Sequence, residues 1–158
     1  MNSAHQHLLI NHFPIVALIL GVIILLIGLL AKSSVTRRVG LLVFFIAGIC
    51  ALPSMSTGEG AEEVVEHMPG ADHDVIHKHE EKAETMMPFM WGIIVLSLIA
   101  LFLEWKGKSM AMIASVTVLL IGMIATYFAR EVGTSGGEIS HPELRKGFVL
   151  QKHGYDED

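Results

Sequence analysis

Cysteine is nearly missing from this chain: Cys50 is the only one, and it lies inside an apolar run. A single thiol excludes an intramolecular disulfide, a thiolate zinc cluster and a Cys-x-x-Cys-His haem attachment, so any haem would be held non-covalently. Room for a separate soluble catalytic domain is missing too. Most of the 158 residues lie in or beside apolar runs, and the remainder is too short to bury a second core. The start, Met1-Asn2-Ser3-Ala4-His5-Gln6-His7, lacks a basic region ahead of its apolar stretch, and that stretch is long enough to span a bilayer. It reads as an anchor and not as a cleaved signal. No nucleic-acid signature is present, and an acidic surface would repel a polyanion, so nucleic acid is not an expected partner.

What the chain does have is four long apolar runs, Leu8–Ala31, Val39–Pro53, Met87–Trp105 and Met110–Phe128, the second reaching spanning length only with its polar flanks. In hydrocarbon every backbone polar group must be satisfied within the protein, which leaves helices or a closed barrel. The runs lack the strict polar alternation of barrel strands, so helices are expected. The sequence therefore predicts an all-α fold. It would be a four-transmembrane-helix bundle in a single membrane domain, with spans of about 8–31, 36–54, 87–105 and 110–128, an amphipathic helical outer loop at 55–86, and an outer tail at 130–158.

Orientation follows from the short connections. Lys32, Arg37 and Arg38 lie between the first two runs and Lys106 and Lys108 between the last two, so those loops are expected in the cytoplasm, with both termini outside. The other side then holds six basic and fifteen acidic residues, against five and one on the cytoplasmic side, and all nine histidines. The single acid on the cytoplasmic side is Glu104.

The long connection is the informative polar part. After Pro53, Ser54-Met55-Ser56-Thr57-Gly58 reads as a turn. Glu59–Met68 then has helical spacing, with Ala61, Val64, Val65 and Met68 on one face and Glu59, Glu62, Glu63 and Glu66 on the other. Pro69-Gly70 should end that helix, and a new one should start with its N-cap around Asp72–Asp74. It should run to Trp105, kinked at Pro88, and at about 48 Å it would overshoot a hydrocarbon core of about 30 Å. On that projection Val75, Ile76, His79, Ala83, Met86 or Met87, and Met90 form one stripe, opposite His73, His77, Glu80, Glu81 and Glu84. His12, beside Phe13-Pro14 at the membrane boundary, has no packing reason to be polar, and His5 would share its face in a helix that begins early. After the fourth run the glycines of Gly133-Thr134-Ser135-Gly136-Gly137 permit a tight turn that would fold His141 back over the bundle.

These residues carry a resemblance. His7-Leu8-Leu9-Ile10-Asn11-His12-Phe13-Pro14-Ile15, Thr57-Gly58, His79-Glu80-Glu81-Lys82-Ala83 and Gly136-Gly137-Glu138-Ile139-Ser140-His141 are similar to a bacterial four-helix family of predicted membrane proteins with a domain of unknown function. The resemblance covers nearly the whole chain, and His-Phe-Pro and Gly-Gly-Glu-x-x-His are its most specific pieces. It implies a bacterial inner-membrane bundle with histidines facing outward, and those histidines look like the ligands of small membrane b-type cytochromes.

Three functions follow as expectations. The first is a b-type haem protein for one-electron transfer near the outer face, with His12 and His79 as axial ligands, Arg130 or His141 near the propionates, and a quinol or respiratory-complex partner. A divalent-metal site is the second, built from His67, His73 and His77 with Glu63 and Glu80. There Glu63/His67 and His73/His77 have the i,i+4 spacing that can place two ligands on one ion. The third is an accessory subunit without a cofactor, in contact with membrane lipid and a protein partner, in which His12 and His79 merely tie helices together.

Overall fold

The computed structural model describes residues 2–68 and 71–149. The expected stop at Pro69-Gly70 and the end of the C-terminal tail lie outside them. The described chain is helical: α1 (Ser3–Ile10), α2 (His12–Leu30), α3 (Ser34–Glu66), α4 (His73–Trp105), α5 (Ala111–Ser140) and a 3-10 turn at Pro142–Leu144. Asn11 joins α1 to α2 with helical backbone angles, and its N–H reaches the His7 carbonyl at 2.9 Å, so the two form one rod from Ser3 to Leu30.

Four rods result, each long and apolar enough to cross a membrane. Successive rods run antiparallel, and α2 packs on α5 to close the bundle. Its inward stripe holds Leu18, Leu25, Leu41, Phe44, Met90, Ile93 and Val118, all almost completely buried. The outward side chains, such as Ile23, Leu42, Ile99, Leu120 and Ile124, are apolar and exposed over the length of the rods. Such a surface is stable against lipid and not against water. Close approach of α2 to α3 depends on Gly40, where a Cβ would lie 2.7 Å from the Leu25 backbone nitrogen.

One end of the bundle carries the two short basic turns, and we term it the basic end. At the first turn Lys32 adopts φ 52° and Ser33 caps α3 by accepting from the Thr36 N–H. At the second, Gly107 takes φ 61° while the Lys108 N–H returns to the Leu103 carbonyl at 3.0 Å, a left-handed glycine stop. Arg37 does not behave as the loop charge expected of it. It is buried within α3, and its guanidinium pairs with the buried Glu104 carboxylate of α4 through two contacts, Nε to Oε1 and Nη2 to Oε2. Ser115 of α5 donates to Glu104 at 3.3 Å, and Arg38 donates to the Glu104 backbone carbonyl at 2.8 Å.

The other end, the histidine end, is longer than expected in two places. No turn follows Pro53. Instead α3 continues to Glu66 as an unbroken helix that packs on α1, and Thr57 and Ser56 turn their hydroxyls back to the Pro53 carbonyl (2.8 and 3.2 Å). Nor does the glycine run after Gly133 turn the chain. Here α5 continues to Ser140, and the chain bends at His141-Pro142, where the Arg145 guanidinium donates to the Glu138 carbonyl and to Asp72. Asp72 is the N-cap of α4, as expected, and α4 runs through Pro88 without interruption.

Candidate functional site

The projecting halves of α3, α4 and α5 and the start of the first rod enclose a cavity of about 480 Å³ at the histidine end. Its inner part is apolar, with Ile15, Ala51, Met86 and Met87, while Glu59, Glu62 and Glu80 also contribute to its wall. Its size is in the range that takes a small organic ligand or cofactor.

Among the described residues three histidines line it: His7, His12 and His79. His79 stands on the stripe read from the sequence, between buried Ile76 and buried Met86, and is itself half-buried. Its Nδ1 lies 3.1 Å from the hydroxyl of buried Ser135 in α5. That hydroxyl also sits 3.0 Å from the Glu131 and Val132 carbonyls, which can only accept, so its proton points there and its oxygen accepts from His79 Nδ1–H. The ring is held close to α5 because position 136 is glycine: a Cβ there would be 3.0 Å from His79 Cε1. Burial lowers the His79 pKa below the ordinary histidine value, and the nearby His7 ring and the Lys82 ammonium would each oppose a second positive charge, against an opposing contribution from the Val132 carbonyl. Its surroundings thus favour the neutral ring.

His7 was missed as a candidate. Its Nδ1 lies 3.0 Å from the Ser54 carbonyl and 3.3 Å from the Thr57 hydroxyl, both on α3. A carbonyl can only accept, which puts a proton on Nδ1, and burial lowers the His7 pKa from its ordinary value, so the favoured neutral ring is the Nδ1–H tautomer. A signal for it existed. His7, Asn11, Pro14 and Leu18 are spaced 4, 3 and 4 apart, one helical stripe that ends in the core, whereas His5 is on the exposed side. Missing that stripe followed from starting the first helix at the apolar run and not ahead of it.

In both rings Nδ1 is the donor and anchored, so Nε2 carries the lone pair. Neither Nε2 has a hydrogen-bond partner among the described residues. A third unpaired acceptor belongs to the same cavity: Asn11 Oδ1 is buried and has no partner among the described residues.

Of the remaining expected residues, His12 and Glu80 touch the cavity and the others lie away from it. His12 is exposed, with no hydrogen bond among the described residues, and forms a wall between the cavity and a shallow lipid-side depression lined by Leu9, Phe13 and Val16. Arg130 is exposed, 3.8 Å from Glu131, and His141 is exposed beside Glu143 (3.0 Å). Neither lines the cavity, because α5 continues straight where a fold-back was expected. The outer-loop donors do not converge. His67 bonds the Glu63 backbone carbonyl, His73 pairs with Glu66, and His77 pairs with Glu80 and Glu81, all on exposed faces. Among the described residues no three His, Cys, Asp or Glu side chains come together as a metal site. Glu62, expected in a purely solvated stripe, lines the cavity. Its pKa is raised by burial and by the carboxylates of Glu80 and Glu66.

Compared with known proteins, residues 6–142 match the family model described as Predicted membrane protein (DUF2231). No curated protein and no solved structure matches the chain.

Proposed function

The chain belongs to the DUF2231 family of predicted membrane proteins, a membership that carries a bilayer location, and from that premise we propose that the cavity at its histidine end binds a small redox molecule for electron transfer at the outer face of the membrane. The observation that supports this most is the pair of neutral imidazoles, each anchored through Nδ1 and each left with a free Nε2, in a mostly apolar enclosure. Imidazole ligands oriented by a hydrogen bond on the other ring nitrogen are what a metal cofactor requires. The outward orientation is inferred from the charge on the turns. The basic end carries Lys32, Arg38, Lys106 and Lys108 and belongs in the cytoplasm of a bacterial inner membrane.

Two occupants satisfy this reading. Haem b is the first, with His7 and His79 replacing the expected pair His12 and His79, since His12 is exposed and unanchored. When bound, its iron would supply a reversible one-electron couple. The donor set fits the iron. The rest of the wall does not fit the two propionates: among the described residues no lysine or arginine lines the cavity, while Glu59, Glu62 and Glu80 do. The second occupant is a neutral hydrogen-bond donor, and the carboxylates of the wall favour it.

The absorption spectrum of the full-length protein, purified from cells with ample haem, tests the first occupant. Haem on this site gives low-spin bands that survive His12→Ala and His73→Ala and disappear in His7→Ala and in His79→Ala. A colourless, folded protein that does not take up added haem removes haem from the account. For orientation, cysteines at Ser34 or Ser109 in a Cys50→Ala background should resist an impermeant thiol reagent in intact cells, while one at Ser56 or Thr134 should react. The opposite pattern inverts the assignment.

A further inference from the structure

We propose that the cavity takes a neutral amphiphile with two hydroxyl donors on an apolar frame, the chemistry of a membrane quinol, held through hydrogen bonds to His7 Nε2 and His79 Nε2, beside the buried and partnerless Oδ1 of Asn11. The proposal rests on the reading that this cavity is a ligand site and names its substrate class.

Hydrogen-bond capacity carries the argument. Ser54 fixes the His7 proton on Nδ1, and the Ser135 hydroxyl, donating to its own helix, fixes that of His79. Asn11 Oδ1 is buried without a partner among the described residues. These three cavity groups are therefore acceptors, on α1, on α4 and at the α1–α2 junction. A buried acceptor left unmet costs free energy, so the complementary occupant brings donors, and acceptors on separate helices call for more than one.

Charge narrows the class. Carboxylates of Glu59, Glu62 and Glu80, in a wall that holds no lysine or arginine among the described residues, repel an anion. A cationic head would be held at the level of Glu59, Glu62 and Glu80 and not among Ile15, Ala51, Met86 and Met87, where it would be desolvated, so the occupant of the apolar part is neutral. The apolar lining also constrains the frame between the hydroxyls. A glycerol backbone would press further oxygens against those side chains, whereas an aromatic ring with para hydroxyls presents carbon to them. The cavity reaches Leu8 and Met87, the first residues of two apolar runs, so a hydrocarbon tail can stay in the bilayer.

The test uses the full-length protein in nanodiscs of zwitterionic lipid, titrated without oxygen by calorimetry. Four probes are compared: a decyl-substituted 1,4-benzoquinol, its dimethyl ether, the corresponding quinone and monodecanoylglycerol. The quinol is expected to bind at least tenfold more tightly than the other three. His7→Phe and His79→Phe should erase the preference, and exposed His73→Ala should keep it. Gly136→Val, which pushes on the His79 ring without removing a polar group, provides a second variant if His79→Phe does not fold. Equal binding of quinol and dimethyl ether, or tighter binding of the glycerolipid, overturns the proposal. Low-spin haem binding lost in His7→Ala, with no preference among the four probes, overturns the quinol and keeps the ligand site. Absence of any binding that responds to His79→Phe or Gly136→Val, haem included, removes the ligand site and the proposal with it.

Discussion

The two ends of the bundle solve the same problem in opposite ways. Each places ionisable side chains at the edge of an apolar domain, where an unpaired polar group is costly. At the basic end, Arg37, Glu104, Ser115 and Arg38 satisfy one another across three helices, with Glu104 only 3% exposed. At the histidine end the anchors are made just as carefully, Nδ1 of His7 on α3 and Nδ1 of His79 on α5, yet the opposite ring nitrogens of two cavity-lining residues have no partner among the described residues, and Asn11 Oδ1 is buried without one. A network that closes on itself is structural. One that fixes its orientation and leaves its acceptors free is the basis of the ligand site proposed above. The contrast is one of degree, since Arg38 Nε and the mid-bundle Ser97 hydroxyl also lack partners among the described residues. Neither of these lines the cavity.

If the basic end is a closed structural clasp, the largest effect in the molecule should come from opening it. Glu104→Ala leaves the Arg37 guanidinium buried and uncompensated, and is expected to destabilise by roughly 3–5 kcal/mol, while Arg37→Met combined with Glu104→Met recovers most of the loss. Chemical denaturation in detergent measures both. A double variant no better than Glu104→Ala alone would mean that the pair is not the clasp described.

Next in size is the seam that carries the histidine end. Ile76 is 5% exposed, one turn before His79, so Ile76→Asp should cost about 3 kcal/mol by burying a charge, whereas Glu63→Gln on the exposed face of α3 should stay within about 0.5 kcal/mol. Equal tolerance in thermal melting would show that the projecting helices do not pack as a unit.

The smallest effect is a pH slope confined to the histidine end. Folding lowers the His79 pKa from its ordinary 6.5, so between the two values the unfolded chain holds a proton that the folded one lacks. Stability then falls as pH drops through about 6.5 and levels off once the folded-state ring is also protonated. The slope should shrink in His79→Gln and persist in Glu104→Gln. A melting temperature that rises on acidification over this window would reverse the assigned sign.

How much of this was legible depended on which rule applied. The four spans were legible because hydrocarbon admits few alternatives, and the α4 stripe from Ile76 through His79 to Met90 followed from spacing alone. The clasp was half legible, since Glu104 stood out as the single acid near the basic turns, but Arg37 and Arg38 are adjacent and only packing chooses between them. Turn chemistry misled twice. Ser54–Gly58 and Gly133–Gly137 have turn composition, yet both stay helical because neighbouring helices use their small side chains for contact. Gly58 faces His7, and Gly136 faces His79. Small residues therefore marked the site, and reading them as turns moved His141 towards the cavity and hid His7.

The central claim is that His7 and His79 are neutral, with the proton on Nδ1 and the lone pair of Nε2 facing the cavity. Nitrogen-15 NMR of histidine-labelled full-length protein at neutral pH reads this directly, with His7→Ala and His79→Ala assigning the signals. The account predicts a protonated Nδ1 and an unprotonated Nε2 for both rings, with the Nε2 resonance shifting when a quinol is added. Protonated Nε2 with bare Nδ1, or doubly protonated rings at pH 7, would contradict it.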